Sequence, residues 1–294
     1  MAIAIASALS LLAPAKLNLF LHVLGRRPDG YHDLQSVFRC ISLFDEIQIE
    51  KRPTDQPLTL SCNVDLGDPQ DNLVLRAAAL LQERSSTHYG AHVILKKQIP
   101  VGAGLGGGSS DAAAVLVGLN YLWSLNFTAA ELQQLGAELG ADIPFFIQGG
   151  DAWVTGLGEQ IEPLHLASSW YVVAYPNVVI PTAEIFSDPD LTRDAEPSTI
   201  ARFLGCGPAD VWRNDLELVA VRRYPEVGQL KNWLSRHGAA KMSGSGSAVF
   251  LEVASEGKAQ AIVAEMPTPW QGFKVAAGGI KSLQRQISEL DKEN

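Results

Sequence analysis

Pro100-Val101-Gly102-Ala103-Gly104-Leu105-Gly106-Gly107-Gly108-Ser109-Ser110 is followed at once by an apolar, alanine-rich stretch. Five glycines in seven positions, Gly102 to Gly108, cannot build a core. Such a run lets backbone N–H groups close on an anion with no Cβ in the way. The serines and Asp111 then open a helix whose positive end faces the same space. A flexible linker is the plain alternative. Linkers are rarely flanked, as here, by a strand-like Ala91–Gln98 and a helix-like Asp111–Trp123.

The kind of phosphate loop follows by comparison with known patterns. No Lys-Ser or Lys-Thr pair follows the last glycine, so it is not a P-loop. Gly102, Gly104 and Gly107 satisfy G-x-G-x-x-G, but a dinucleotide fold needs an acidic strand end about twenty residues on. That window holds Trp123–Thr128 and then the capping box Thr128–Glu131, which starts another helix. His-Arg-Asp and Asp-Phe-Gly are absent, which excludes the protein-kinase pattern. A phosphate binder of a third kind remains.

The chain's 294 residues suffice for one large domain or two smaller ones. A net charge of -9 argues against nucleic acid as a partner. Cys40, Cys62 and Cys206 are odd in number and widely spaced, which reads as buried or free thiols in a reducing compartment. No HExxH pair is present, and the sequence leaves the metal ligands unassigned. The apolar opening stretch Met1–Ala13 is too short for a membrane span and lacks the positive start of a targeting peptide. A cytoplasmic protein, monomeric or weakly dimeric, is expected, with no membrane partner.

Leu17, Leu19, Leu21 and Val23 alternate with Lys16, Asn18, Phe20 and His22, which is strand periodicity over Ala15–Val23. Lys16 and Asn18 therefore share a face, about 7 Å apart. Further strands are expected at Val37–Leu43, Glu46–Glu50, Leu58–Cys62, Ala152–Thr155, Trp170–Tyr175, Ala248–Val253 and Phe273–Ala277. Loops are expected over 51–57 and, as a loop or lid, over 187–198. Helices fit Asn72–Arg84, Ala129–Leu139, Val211–Arg223, Val227–His237 and 256–265. The order has no regular βαβ rhythm, so the class is α+β, with a boundary near 155–170.

Two residues stand out as candidate chemistry. Asp142 sits between Gly140 and Pro144 in a stiff turn, where an Asx turn or helix cap is the plain reading and catalysis the sharper one. Lys16 lies in an apolar strand, which fits either a solvated edge or a functional cation. Phosphoryl transfer uses this kind of pair, a cation for the moving charge and a carboxylate for the hydroxyl proton. A second glycine-serine run, Ser243–Ser247, is either a plain turn or a second wall of the same site.

Three segments together resemble the GHMP kinase superfamily: Pro14-Ala-Lys-Leu-Asn-Leu-Phe-Leu, Pro100–Ser110 with Asp111, and Met242-Ser-Gly-Ser-Gly-Ser. Asp29-Gly-Tyr-His-Asp, Asp71-Asn-Leu-Val, Gly140-Ala-Asp-Ile-Pro-Phe-Phe, and Pro181-Thr with Ile185-Phe186 are similar to members acting on a cytidine diphosphate sugar alcohol. The resemblance runs from residue 14 to about 280 and implies an ATP-dependent kinase using Mg²⁺, with an acceptor of isoprenoid-precursor chemistry. It implies a ribosomal protein S5 domain 2-like N-terminal domain (1–160) and a ferredoxin-like C-terminal domain (161–294), with the active site between them. It also implies Lys16 and Asp142 as the catalytic pair, and Pro100–Ser110 with Lys97 and Asn72 as the nucleotide contacts. Tyr31 and Phe186 would sandwich the cytosine, His32 would hydrogen-bond it, and Asn18 and Thr182 would line the sugar-alcohol end. From the residues alone, Tyr31 and Phe186 are equally readable as core anchors. Ala248 departs from the threonine or cysteine common after the third motif. Rival readings are a kinase for homoserine or a mevalonate-type acceptor, which has no use for a base sandwich, and a nucleotide-binding regulator without catalysis.

Overall fold

The computed structural model describes residues 7–205 and 212–293. Cys206, the residues before Ser7 and the expected helix start at Val211 lie outside the described residues. Two long antiparallel strands form the spine, β1 (Ala8–Arg26) and β2 (His32–Thr54). The turn between them is closed by Gly30 N donating to Arg27 O at 3.0 Å. The sequence suggests two separate strands at Val37–Leu43 and Glu46–Glu50 and a loop over 51–57, whereas β2 runs through all but the last few of these residues. Asp45 is the reason. Its fully buried carboxylate accepts hydrogen bonds from Gln98 N (2.6 Å) and Ile99 N (2.9 Å), so a charged residue sits mid-strand without breaking it.

Next come β3 (Leu58–Cys62), α1 (Leu73–Ser85) and β4 (Tyr89–Lys96), a right-sized crossover that leaves β3 and β4 parallel. α2 (Gly107–Leu122) begins four residues before the expected Asp111. Gly106, left-handed at φ 72°, ends the loop, and Gly107 and Gly108 already form the first turn. Eleven α2 residues are buried, from Ser110 through Leu122, as a helix apolar on every side requires. α3 (Ala129–Leu139) starts at the expected capping box. The apolar segment after Asp142 is a helix, α4 (Ile143–Gln148), with Pro144 in its first turn where a missing N–H costs nothing. β5 (Asp151–Gly156) and β6 (Gln160–Leu164), the latter unforeseen, form a hairpin.

The C-terminal half holds β7 (Ser169–Tyr175), α5 (Thr182–Phe186), α6 (Ile200–Gly205), α7 (Glu217–Arg223) and α8 (Pro225–Leu234). It closes with β8 (Lys241–Met242), β9 (Val249–Val253), α9 (Glu256–Ala264), β10 (Gln271–Ala277) and α10 (Leu283–Glu293). Among the described residues the strands join one sheet, β3-β4-β2-β10-β7-β9-β8, with β1 and β5 also on β2 and β6 on β5. The two halves meet in that sheet through one pairing, Ala277 with Ile41. Helices α1 to α4 cover the N-terminal strands, and a separate apolar cluster under α7, α8 and α9 fills the C-terminal half. A third cluster, with Leu17, Ile41, Leu105, Tyr171 and Phe250, lies between the halves beneath the glycine loop. Among the described residues no helix is long and apolar enough to cross a membrane.

The expected loop over 187–198 is irregular but tied down. Asp188 is buried and accepts from Arg222 (2.6 Å) and Arg223 (2.5 Å). Those guanidinium hydrogen bonds, Arg222 foremost, hold its carboxyl well below the ordinary 3.8 against the opposing effect of burial. A depressed folded pKa contributes stability above 3.8 that is lost as pH falls toward the folded value. Asp188→Asn is therefore expected to lower Tm by a few degrees at pH 7. The gap to the parent should narrow steadily below about pH 4 in thermal melts across the acid range.

Candidate active site

The glycine loop hangs from its carbonyls. Gly102 O accepts from Ile180 N (3.4 Å), Ala103 O from Ala248 N (3.0 Å) and Leu105 O from Lys16 N (2.9 Å). Gly104 O accepts from the Ser243 hydroxyl at 3.0 Å. Four successive carbonyls are thus turned to the scaffold, and the side chains of Ala103 and Leu105 are buried as anchors. Gly104 has no alternative here: at φ 74°, an added Cβ would stand 2.2 Å from Ser243 O. That contact decides the reading of the second glycine-serine run. Ser243–Ser247 packs against the first loop, and Gly244 and Ser245 line the same cleft.

The cleft has a volume of about 620 Å³. Pro100 to Ser109 border it together with Lys16, Asn18, Asn72, Lys97, Asp111, Asp142, Thr182 and Phe186. The head of α2 opens into it. No side chain caps that helix, so the first-turn N–H groups keep their positive partial charge for a ligand. Ser110 is fully buried, and neither its Oγ nor Asp111 Oδ1 has a hydrogen-bond partner among the described residues.

Lys97 sits against this helix head in a buried triad. Its Nζ donates to Asp45 Oδ2 (2.5 Å) and Asp111 Oδ2 (2.8 Å). Burial works against the Lys97 charge, but the two carboxylates outweigh it and raise its pKa. Burial pushes the Asp111 carboxyl up against the pull of Lys97, and the neighbouring Asp45 adds to the rise. Two of the three Lys97 N–H groups are therefore engaged by protein. Asn72 is engaged too, as N-cap of α1: its Oδ1 accepts from Val74 N at 2.9 Å.

The reading of Lys16 as a solvated edge residue is overturned. β1 is paired only with β2 in the sheet, but the glycine loop and the 213–215 segment cover its other side. Lys16 is 4% exposed. Its Nζ donates to Asn18 Oδ1 at 2.5 Å, lies 4.4 Å above the Phe38 ring, and stands 3.4 Å from Asp142 Oδ2. Asn18 in turn donates to Ser36 Oγ (3.0 Å), and Ser36 to Phe20 O (2.5 Å). Asp142 occupies the N-cap position of α4 yet makes no cap hydrogen bond, so the plain capping reading of this residue fails. Its carboxylate faces the ammonium instead. The cleft thus places a buried cation and a part-exposed carboxylate side by side, and the glycine loop and the head of α2 border the same cleft.

A second cavity, also about 620 Å³, adjoins the first and shares Leu34, Ala141, Leu157, Thr182 and Phe186 with it. Tyr31 and His32 line it. Of the two rings readable as core anchors, Tyr31 is none and Phe186 packs partly on the core. Tyr31 is 64% exposed, whereas Phe186 is part-buried against the C-terminal core and 5.2 Å from the His32 ring at 30°. Thr182 Oγ1 and Ser245 Oγ share a hydrogen bond at 2.8 Å where the cavities meet. Arg193 is a residue the sequence reading missed: its Nε donates to His32 Nε2 at 3.0 Å, 161 positions away. Asp45 is another, and a charge set inside the apolar run Val37–Ile49 was the signal that could have found it.

Comparison with known proteins finds similar chains. Models described as GHMP kinases N terminal domain and GHMP kinases C terminal match residues 72–150 and 208–272. A relative from Azoarcus sp. (strain BH72), named 4-diphosphocytidyl-2-C-methyl-D-erythritol kinase, is 50% identical over 274 residues, 93% of each chain. One of the same name from Aromatoleum aromaticum is 48% identical over 262 residues, 89% of this chain and 90% of its own. A crystal structure of 4-(cytidine 5'-diphospho)-2C-methyl-D-erythritol kinase superposes with a TM-score of 0.78 at 34% identity, covering 92% of this chain and 100% of that one. The Methanococcus jannaschii mevalonate kinase shares the fold, with a TM-score of 0.67 at 16% identity over 93% and 99% of the two chains.

The triad should carry a large share of local stability. Lys97→Met leaves two buried carboxylates facing each other without a cation, and a loss of about 3–5 kcal/mol is expected in urea denaturation at neutral pH. A loss below 1 kcal/mol would show that water reaches the triad freely.

Proposed function

The chain belongs to the GHMP kinase family, and on that premise we propose that it moves the γ-phosphoryl of ATP onto the 2-hydroxyl of 4-diphosphocytidyl-2-C-methyl-D-erythritol. One observation carries the mechanism: Lys16 Nζ lies 3.4 Å from Asp142 Oδ2 at the floor of a cleft walled by both glycine loops. The loop N–H groups and the α2 dipole hold the β- and γ-phosphates. Lys16, positioned by Asn18, offsets charge on the phosphoryl group as it moves. Asp142 orients the attacking hydroxyl and takes its proton. A carboxylate is a weak base toward an alcohol, so that transfer falls late and much of the Asp142 contribution is alignment.

Magnesium fits the donor set at the head of α2. A hard cation that keeps phosphate oxygens and water as most of its ligands needs one or two protein oxygens. Ser110 Oγ and Asp111 Oδ1 are buried there without partners. Bound with ATP, the ion would offset phosphate charge. The adjoining cavity takes the cytosine, with Tyr31 and Phe186 as the two faces and His32 at the edge. Thr182 and Asn18 line the path from that cavity to the reactive pair.

Release of ADP with Mg-ATP and a panel of alcohols tests the reading, with product mass identifying the acceptor. Turnover of homoserine or mevalonate in preference to the cytidine diphosphate compound would overturn it. Asp142→Asn and Lys16→Ala are each expected to lower kcat by at least about 10²-fold with the fold intact by circular dichroism.

A further inference from the structure

Arg193 has no role in the reading above, yet its side chain makes four hydrogen bonds. Its guanidinium donates to Phe186 O (2.9 Å), Asp188 O (2.7 Å) and Leu191 O (3.0 Å), and through Nε to His32 Nε2 (3.0 Å). A guanidinium has donors only and keeps its charge at any working pH. The nitrogen that faces it must therefore be an acceptor. That places no proton on His32 Nε2, so the neutral ring carries its hydrogen on Nδ1. No described residue takes up Nδ1, and His32 lines the second cavity.

We propose that Arg193 is a specificity-determining positioning residue: it fixes His32 as a neutral Nδ1–H donor and so selects a pyrimidine with an acceptor at N3. The proposal rests on the reading that this cavity takes the nucleobase. Cytosine offers a lone pair at N3, and uracil offers an N–H there. Against a fixed donor, uracil leaves two N–H groups facing each other with no acceptor between them, and such an arrangement is rejected far more strongly than a missing methyl group. Burial first, then Arg193 and Arg26, lower the His32 pKa, which favours the neutral ring. The same guanidinium ties the end of α5 to the 187–198 segment through three carbonyls, so the Phe186 face and the His32 edge are set by one side chain.

The test has two arms on the full-length protein. Long-range ¹H–¹⁵N spectra of histidine-labelled protein at pH 7.5 should show His32 with its hydrogen on Nδ1, and CMP should shift those signals at lower concentration than UMP. In the second arm, the kcat/KM ratio for the cytidine over the uridine form of the diphosphate substrate should fall at least about tenfold in Arg193→Met. A merely structural loss would raise KM for both forms and leave the ratio intact. A His32 spectrum with hydrogen on Nε2 or on both nitrogens overturns the proposal, as does an unchanged ratio in a folded Arg193→Met. The wild-type spectrum needs no substitution, so the proposal can fail even where the variant does not fold. If neither diphosphate is turned over, the proposed kinase reaction fails, while the spectrum and the CMP-over-UMP preference still decide the role of Arg193.

Discussion

The outward hold on the carbonyls of Gly102, Ala103, Gly104 and Leu105 is the constraint on which the rest of the site depends. A peptide unit points its N–H opposite to its C=O. Fixing four successive carbonyls to the scaffold therefore fixes the peptide planes of the loop, before any ligand is present. The partners come from three places: β1 supplies the Lys16 amide, the segment after β7 supplies Ile180, and the second glycine-serine run supplies Ser243 and Ala248. A glycine run that would otherwise be floppy becomes a rigid surface because its flexibility is used up by these bonds.

The two cleft lysines are treated in opposite ways. Lys97 is balanced by two buried carboxylates and sits in structure, holding β2, the start of the glycine loop and the head of α2 at one height. Lys16 has a neutral amide, an aromatic face and only one carboxylate at a longer distance. Its charge is less completely offset by protein. The two amines are equally buried and differ in the number and distance of their carboxylates.

Much of this arrangement was legible in the sequence where local rules apply. Alternation placed Lys16 and Asn18 on one face, the glycine count marked the loop that borders the cleft, and Gly140 with Pro144 marked the stiff turn at Asp142. What escaped depends on distant partners. Asp45 looked like an interruption of β2 because its compensating amides lie 53 and 54 positions away. The α2 start was misplaced because glycines are poor helix formers, and Gly106 and Gly107 are there for space: an added Cβ would meet the Phe146 ring, the Lys16 stem or the Lys97 ammonium. Short elements such as α5 and β6 carry too few residues for a periodic signal. Arg193 stands in a polar, proline-bearing stretch with no pattern at all, and only the folded chain reveals what it touches.

The contact between Gly104 and Ser243 has a consequence for how the chain can be divided. Family models and sheet layout suggest a molecule of two parts, yet the hold on the glycine loop belongs to neither alone. A fragment ending near residue 160 would keep every glycine and lose most of what orients them, with three of the four supporting donors gone to the other piece. That hold is a seam, and it exists only where the two parts are sewn together.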